Sequence, residues 1–418
     1  MSWTTQTDFL TLAQQFGSPL WVYDAATIVC QIERLRAFDV IRYAQKACSN
    51  IHILRLMREN GVHVDAVSAG EVERALAAGY PANTGSANSD AEIVFTADLL
   101  DRATLARVVE LKLEVNCGSI DMLRQLGERS PGHRVWLRIN PGFGHGHSHK
   151  TNTGGENSKH GIWHTDLPQA LAIIRKGGLH LVGLHMHIGS GVDYRHLQQV
   201  CGAMISLAQQ VAQFDFDLEA ISTGGGLSIP YQQGQPEVDT DHYFQLWDSA
   251  RQEIESLFCH PIRLEIEPGR FLLAQAGALL AEVRAIKTQG GHHFALVDAG
   301  FNDLMRPAMY GSYHHVSRLT QRRAAPDETQ PYVLAGPLCE SGDVFTQHDG
   351  GIVQTRMLPQ LEVGDYLLFH DTGAYGASMS SNYNSRPLLA EVLLEAKGAR
   401  LIRRRQSMAQ LLQLELDC

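Results

Sequence analysis

Lys46, in the stretch RYAQKACSN, stands at the end of a mostly apolar run, and it is the side chain best suited to covalent chemistry with a carbonyl. An ammonium resists burial, so a lysine in apolar surroundings is biased towards the neutral amine, the form that attacks an aldehyde. A partly exposed lysine after an ordinary strand is the plain alternative. Glu267 in LEIEPGR offers a second kind of chemistry. A carboxylate beside a pyridine nitrogen keeps that nitrogen protonated, and a pyridinium is an electron sink; structural pairing with Arg270 is the other reading. His187 in GLHMHIGSG can stack on a flat ring or serve as a satisfied core histidine. The run Gly224, Gly225, Gly226 in STGGGLS lets backbone approach an anion closely and, ahead of a helix N-terminus, would donate N–H groups to a phosphate. Its alternative is a tight turn. Ser190, between Gly189 and Gly191, adds a hydroxyl donor nearby.

A second group lies further along the chain. Cys339 in CESGDVF can donate a proton or be a merely packed thiol, and Tyr375 in HDTGAYGASM can bind a phosphate through its hydroxyl. Arg306 and Tyr310 stand four apart in RPAMY, a spacing that suits gripping a carboxylate if the backbone there is helical; a surface ion pair is the alternative for the arginine. The loop from Gly142 to His160 carries His145, His147 and His149 at alternating positions but no organised carboxylate or cysteine partner. It reads as an active-site cover, with Lys159 its most interesting basic residue, rather than as a metal site.

These residues need elements to hold them. From residue 39 a short β-branched or apolar run, a turn and a helix-period stretch recur eight times, with strands expected at Val40–Gln45, Val64–Ser68, Ile93–Thr96, Leu113–Cys117, Arg134–Asn140, Leu181–Ile188, Ala220–Gly224 and Arg263–Glu267. In the first helix Ser49 or Asn50 can cap, Ile51, Leu54 and Met57 share a face, and Gly61 can end it; the second runs from about Gly70 to Gly79. Such alternation predicts a parallel (β/α)8 barrel of the TIM type over residues 25–276. An open doubly wound sheet is the rival, and lacks a GxGxxG opening. Strand-like runs after residue 277 predict a β-rich second domain over 277–418, a Greek-key barrel or sandwich, completed by the strand Pro19–Tyr23 from residues 1–24. Barrel chemistry gathers at the C-terminal ends of the strands, where Lys46, His187, the glycine run and Glu267 all fall.

With 418 residues the chain is long enough for two domains. A formal charge of -10 argues against nucleic acid or an anionic membrane as partner. Seven cysteines, odd in number and without CxxC pairs, indicate neither a disulfide framework nor a zinc module, and with no signal-peptide pattern or apolar span the expected location is the cytoplasm.

Taken together, YAQKA, HMHIGSG, GGG, EPGR, RPAMY, CESGD and GAYG occur in an order that resembles the fold-type III pyridoxal-phosphate decarboxylases and, among them, the diaminopimelate decarboxylases of bacteria, over nearly the whole chain. The resemblance implies pyridoxal 5'-phosphate as cofactor, with Lys46 forming the internal aldimine and His187 stacking on the ring. It places Ser190, Gly226 and Tyr375 at the phosphate, Glu267 at the ring nitrogen, and Gly269 and Arg270 of EPGR against the cofactor. Arg270, Arg306, Tyr310 and Tyr375 match substrate contacts, Glu340 the contact to the distal amino end, and Cys339 the proton donor. It further implies a homodimer in which Cys339 and Glu340 enter the site of the second subunit. HIGSG replaces the family's common HIGSQ.

The expected reaction is decarboxylation of meso-2,6-diaminopimelate to L-lysine, the last step of lysine biosynthesis. A substrate with carboxylate and amine at its distal end suits Arg306, Tyr310 and Glu340 together, whereas ornithine or lysine would leave the arginine unpaired. A decarboxylase of another basic amino acid on the same fold is the alternative, and a non-catalytic cofactor-binding regulator is the reading from another class.

Overall fold

The computed structural model describes residues 3–82, 91–144, 154–187, 189, 191, 193–319 and 328–416. They form two compact units, one of residues 31–228 with 237–271 and one of residues 1–30, 229–236 and 272–418.

In the first unit eight parallel strands, β1 (Val40–Ala44), β2 (His63–Ala66), β3 (Ile93–Ala97), β4 (Glu114–Cys117), β5 (Arg134–Asn140), β6 (His180–His185), β7 (Ala220–Ser222) and β8 (Arg263–Ile266), pair in chain order. The last pairs with the first, Glu265 opposite Val40 and Ile266 opposite Ile41. That closure makes a (β/α)8 barrel and excludes the open sheet. Both faces of each strand are covered, so the strands are buried almost throughout, polar residues such as Asp65, Glu114 and Glu265 included. Two of the buried charges pair with each other: Arg42 donates to Glu265 Oε2 from Nε at 2.9 Å and Nη2 at 2.8 Å, and to the Ala91 carbonyl at 2.7 Å.

The helices start and stop on local chemistry. Asn50 caps Ile51–Glu59 by accepting from the His52 N–H, and Ile53, Leu54 and Met57 form the buried face, with Ile53 taking the place expected for Ile51. Ser68 caps Ala69–Ala78, the Glu71 carboxylate reaches back to the Val67 N–H, and Gly79 in a left-handed conformation ends the helix.

In the second unit the long strand Gly277–Gln289 is central. It pairs antiparallel with Leu20–Asp24, His292–Val297 and Tyr366–Phe369. Leu20–Asp24 also runs parallel to Ala390–Glu395, which turns back as Gly398–Arg403. Phe9, Leu12 and Ala13 of the helix Phe9–Phe16 pack on Leu20, Val22, Leu280 and Val392. The strands Val316–Leu319 and Arg356–Pro359, and the helix Met408–Leu416, were not among the sequence expectations. No helix among the described residues is long and apolar enough to cross a membrane.

Candidate active site

The C-terminal rim of the barrel carries Lys46 in a 3-10 turn, Gln45–Ala47, directly after β1. Its side chain is exposed while Ala44, Gln45 and Ala47 around it are buried. The EPGR turn after β8 locks against this lysine turn: the Ala44 N–H donates to the Pro268 carbonyl at 3.2 Å. A Cβ at Gly269 would lie 3.2 Å from the Ala44 carbonyl and 3.3 Å from Ala47 Cβ, so the two turns meet where a side chain has little room. Arg270, half-buried, opens the short helix Arg270–Leu273 that follows.

Glu267 is buried at the mouth of the barrel. His185 Nε2 lies 2.8 Å from its Oε2, and the Ser222 hydroxyl donates to Oε1 at 3.2 Å. Burial alone would raise its pKa, but the interactions with His185, charge and hydrogen bond, and the charge of Arg42 outweigh it and lower the carboxyl to about 2. Asp65, the penultimate residue of β2, goes the other way: burial first and the Glu267 charge second push it up to about 7, against Lys46 and a hydrogen bond from Thr96. Of these two neighbouring carboxyls, Glu267 therefore carries the fixed negative charge. Arg138, in the second half of β5, is buried in the field of Asp98, Glu267 and Asp65.

His187 receives the Gly225 N–H on Nδ1 at 3.0 Å, which requires a lone pair there and places the ring proton on Nε2. Burial, then the charges of Arg138 and Lys46, hold its pKa well below the ordinary histidine value. A neutral flat ring results. The glycine run beside it packs directly on neighbouring backbone: a Cβ on Gly226 would meet the Gly189 carbonyl at 2.5 Å, and one on Gly225 the Glu267 carbonyl at 2.5 Å. Gly226 has φ +114, open to glycine alone without strain. Ser190 lies outside the described residues, as do His145, His147 and His149. Lys159 is described and exposed; the segment around it is tied to β3 through His160, whose Nδ1 is 2.5 Å from Asp98 Oδ2.

The β-rich unit gathers the remaining candidates. The backbone at Arg306–Tyr310 is helical, as the four-residue spacing required. The guanidinium of the buried Arg306 lies over two rings, 5.4 Å from the Tyr310 centroid and 5.5 Å from that of Tyr375, and donates to the Ser312 hydroxyl at 3.2 Å. Tyr375 is held at φ +59, an uncommon conformation for a residue with a bulky side chain. Cys339 and Glu340 are adjacent and exposed in the turn after Thr329–Ala335.

His185, Asp65, Arg138 and Ser222 were missed from the sequence. The signal was present, since each is a polar residue near the C-terminal end of an apolar strand, the filter that picked out Lys46. His185 and His187, two apart in HMH, follow the alternation that puts extended-chain side chains on one face.

A family model described as pyridoxal-dependent decarboxylase, pyridoxal binding domain, matches residues 27–274. The diaminopimelate decarboxylase of Escherichia coli is 66% identical over 414 residues, which cover 99% of this chain and 97% of that protein. This chain belongs to the diaminopimelate decarboxylase family. A crystal structure of a diaminopimelate decarboxylase with 65% identity superposes with a TM-score of 0.94, covering 100% of this chain and 99% of that one. The Helicobacter pylori diaminopimelate decarboxylase complexed with L-lysine, 29% identical, gives 0.87 over 98% of this chain and 100% of that one. The family's cofactor, pyridoxal phosphate, fits the barrel rim: an ionised, buried Glu267 suits a protonated ring nitrogen, and the neutral, flat His187 suits an aromatic ring.

Proposed function

We infer that this protein decarboxylates meso-2,6-diaminopimelate to L-lysine and carbon dioxide with pyridoxal 5'-phosphate, closing lysine biosynthesis. The observation that carries the reading is the full-length match to the Escherichia coli relative, whose name states the activity.

Lys46 is the residue that would hold the cofactor covalently, with Glu267 at the ring nitrogen, His187 against the ring, Gly226 and Tyr375 at the phosphate, and Gly269 and Arg270 in the turn beside it. Ser190 would be a further phosphate donor. Once bound, the cofactor supplies the electron sink that makes loss of a carboxylate feasible. The chain's own residues do the rest. Glu267, kept ionised by His185 and Ser222, balances positive charge on the ring. His187, kept neutral by burial and by the Gly225 N–H, adds no competing charge. Arg306 and Tyr310, with Arg270 and Tyr375, would orient the substrate carboxylates, and Glu340 its distal ammonium. The Cys339 thiol would deliver a proton to the carbon that lost carbon dioxide, completing the amine product.

The active form we propose is a homodimer in which Cys339 and Glu340 serve the partner's site. Its compartment would be the reducing cytoplasm, a reading supported by the six described cysteines all being free.

Carbon dioxide release from meso-diaminopimelate, beside L-ornithine, L-arginine and a Lys46→Ala control, tests the assignment. Release from diaminopimelate alone, abolished in the control, is expected. Preference for ornithine or arginine would overturn the substrate.

A further inference from the structure

Within one chain Cys339 and Glu340 are both exposed, so no packing by that chain fixes their side chains. Proton delivery and recognition of an ammonium nevertheless tolerate little misplacement. Within the chain polar contacts hold this turn, and one set of them comes from two other consecutive residues. Asn384 Oδ1 accepts the Cys339 N–H at 2.8 Å, and the Tyr383 hydroxyl lies 3.5 Å from Glu340 Oε2, a longer polar contact than an ordinary O–H···O bond.

The gripping segment is itself constrained. Asn384 and Ser385 both have positive φ, 52° and 55°, a conformation that L-residues adopt singly and at a cost, asparagine most readily. Its flanks are tied down: Asn382 Nδ2 donates to the Arg386 carbonyl at 2.8 Å and Gln406 Oε1 at 2.7 Å, and the Ser381 N–H to the Asn302 carbonyl at 2.8 Å. A second clamp acts on the other side of the cysteine turn, where the Asp343 carboxylate accepts the Leu338 and Phe301 N–H groups, each at 2.7 Å. Phe301 joins the two clamps, because its ring stacks on Tyr383 with centroids 5.4 Å apart and planes at 23°.

We propose that Tyr383 and Asn384 are positioning residues for the reaction, Asn384 setting the placement of the Cys339 thiol and Tyr383 that of the Glu340 carboxylate. Neither need touch substrate. The proposal rests on the roles given to Cys339 and Glu340 above, and it divides the kinetic consequences: disturbing Asn384 should slow turnover, and disturbing Tyr383 should weaken binding of the distal ammonium.

Three holoenzyme variants test it. Asn384→Gly keeps the positive φ but removes the acceptor, Asn384→Asp keeps both, and Tyr383→Phe keeps the ring stack but removes the hydroxyl. The readout independent of activity is the rate at which iodoacetamide alkylates Cys339, followed by mass spectrometry of its peptide. Asn384→Gly should change that rate at least about threefold and lower kcat with KM steady, Asn384→Asp should stay within about twofold of the parent, and Tyr383→Phe should raise KM about threefold or more with kcat nearly unchanged. An unaltered alkylation rate in Asn384→Gly, or an equal disturbance in Asn384→Asp, overturns the Asn384 contact; an unchanged KM in Tyr383→Phe overturns the Tyr383 contact. A Cys339→Ala control separates the failures, since full activity there would sink the proton-donor role while the alkylation comparison still decides the positioning contact.

Discussion

His185 and Glu267 meet at 2.8 Å in the buried mouth of the barrel, one strand end holding the other's carboxylate. Glu267 titrates at about 2, below its ordinary 4.5, so the stabilisation of its ionised form is fully present above the ordinary value and is lost as pH falls towards the folded value. His185→Leu removes the partner and leaves a buried carboxylate with one remaining donor. The acid limb of kcat/KM should move upward by about one pH unit or more, and the variant should unfold at higher pH during acid titration. A pH–rate profile and a circular-dichroism acid titration check both; an unmoved acid limb would remove His185 from the site.

Arg306 lies over two tyrosine rings, one of them Tyr310, whose four-residue spacing marks the pair in the sequence. Arg306→Lys retains the charge but loses the bidentate geometry and much of the stacking. KM for diaminopimelate should rise on the order of 10-fold to 100-fold, an effect of about 1–3 kcal/mol, and thermal stability should change little by comparison. Steady-state kinetics beside a melting curve separate the two, and an unaffected KM would move carboxylate recognition elsewhere.

What could be read in advance divides along physical lines. Barrel strands were legible because burial on both faces writes itself as short apolar runs between turns. Val316–Leu319 and Arg356–Pro359 escaped because both are short and half exposed, with little apolar pattern to mark them. Lys46, His187 and Glu267 stood out as charged or titratable groups in apolar contexts. Asp65 and Arg138 have the same local signature, but their importance lies in mutual electrostatics across different strands, which a linear reading does not contain. The positive φ of Tyr375 and Asn384 has the same character: tertiary contacts impose it on residues that would not choose it locally.

His187 is held neutral, which gives a further expectation. Its folded pKa lies below the ordinary value, so protonation opposes the folded site, and stability linked to it is present above pH about 6.5 and lost at lower pH. Between pH 7 and 8 it should contribute no inflection to kcat. His187→Phe, flat and uncharged, should therefore retain cofactor binding better than His187→Lys, which places a charge in the same spot. Equilibrium titration with pyridoxal phosphate distinguishes them, and equal affinities would argue against a ring-facing role.

Arg42 and Glu265 are almost completely buried, and the guanidinium spends two donors on one carboxylate oxygen and a third on the Ala91 carbonyl. Arg263 takes the other oxygen at 2.8 Å. Arg42→Met should destabilise the barrel by about 3–5 kcal/mol, because Glu265 keeps a charge that loses most of its compensation. The paired replacement Arg42→Met with Glu265→Leu should recover much of that loss, since neither charge then remains to be desolvated. Urea unfolding of the single and double variants measures the difference, and a double variant no more stable than the single one would mean that the ion pair contributes more than the burial of its two charges costs.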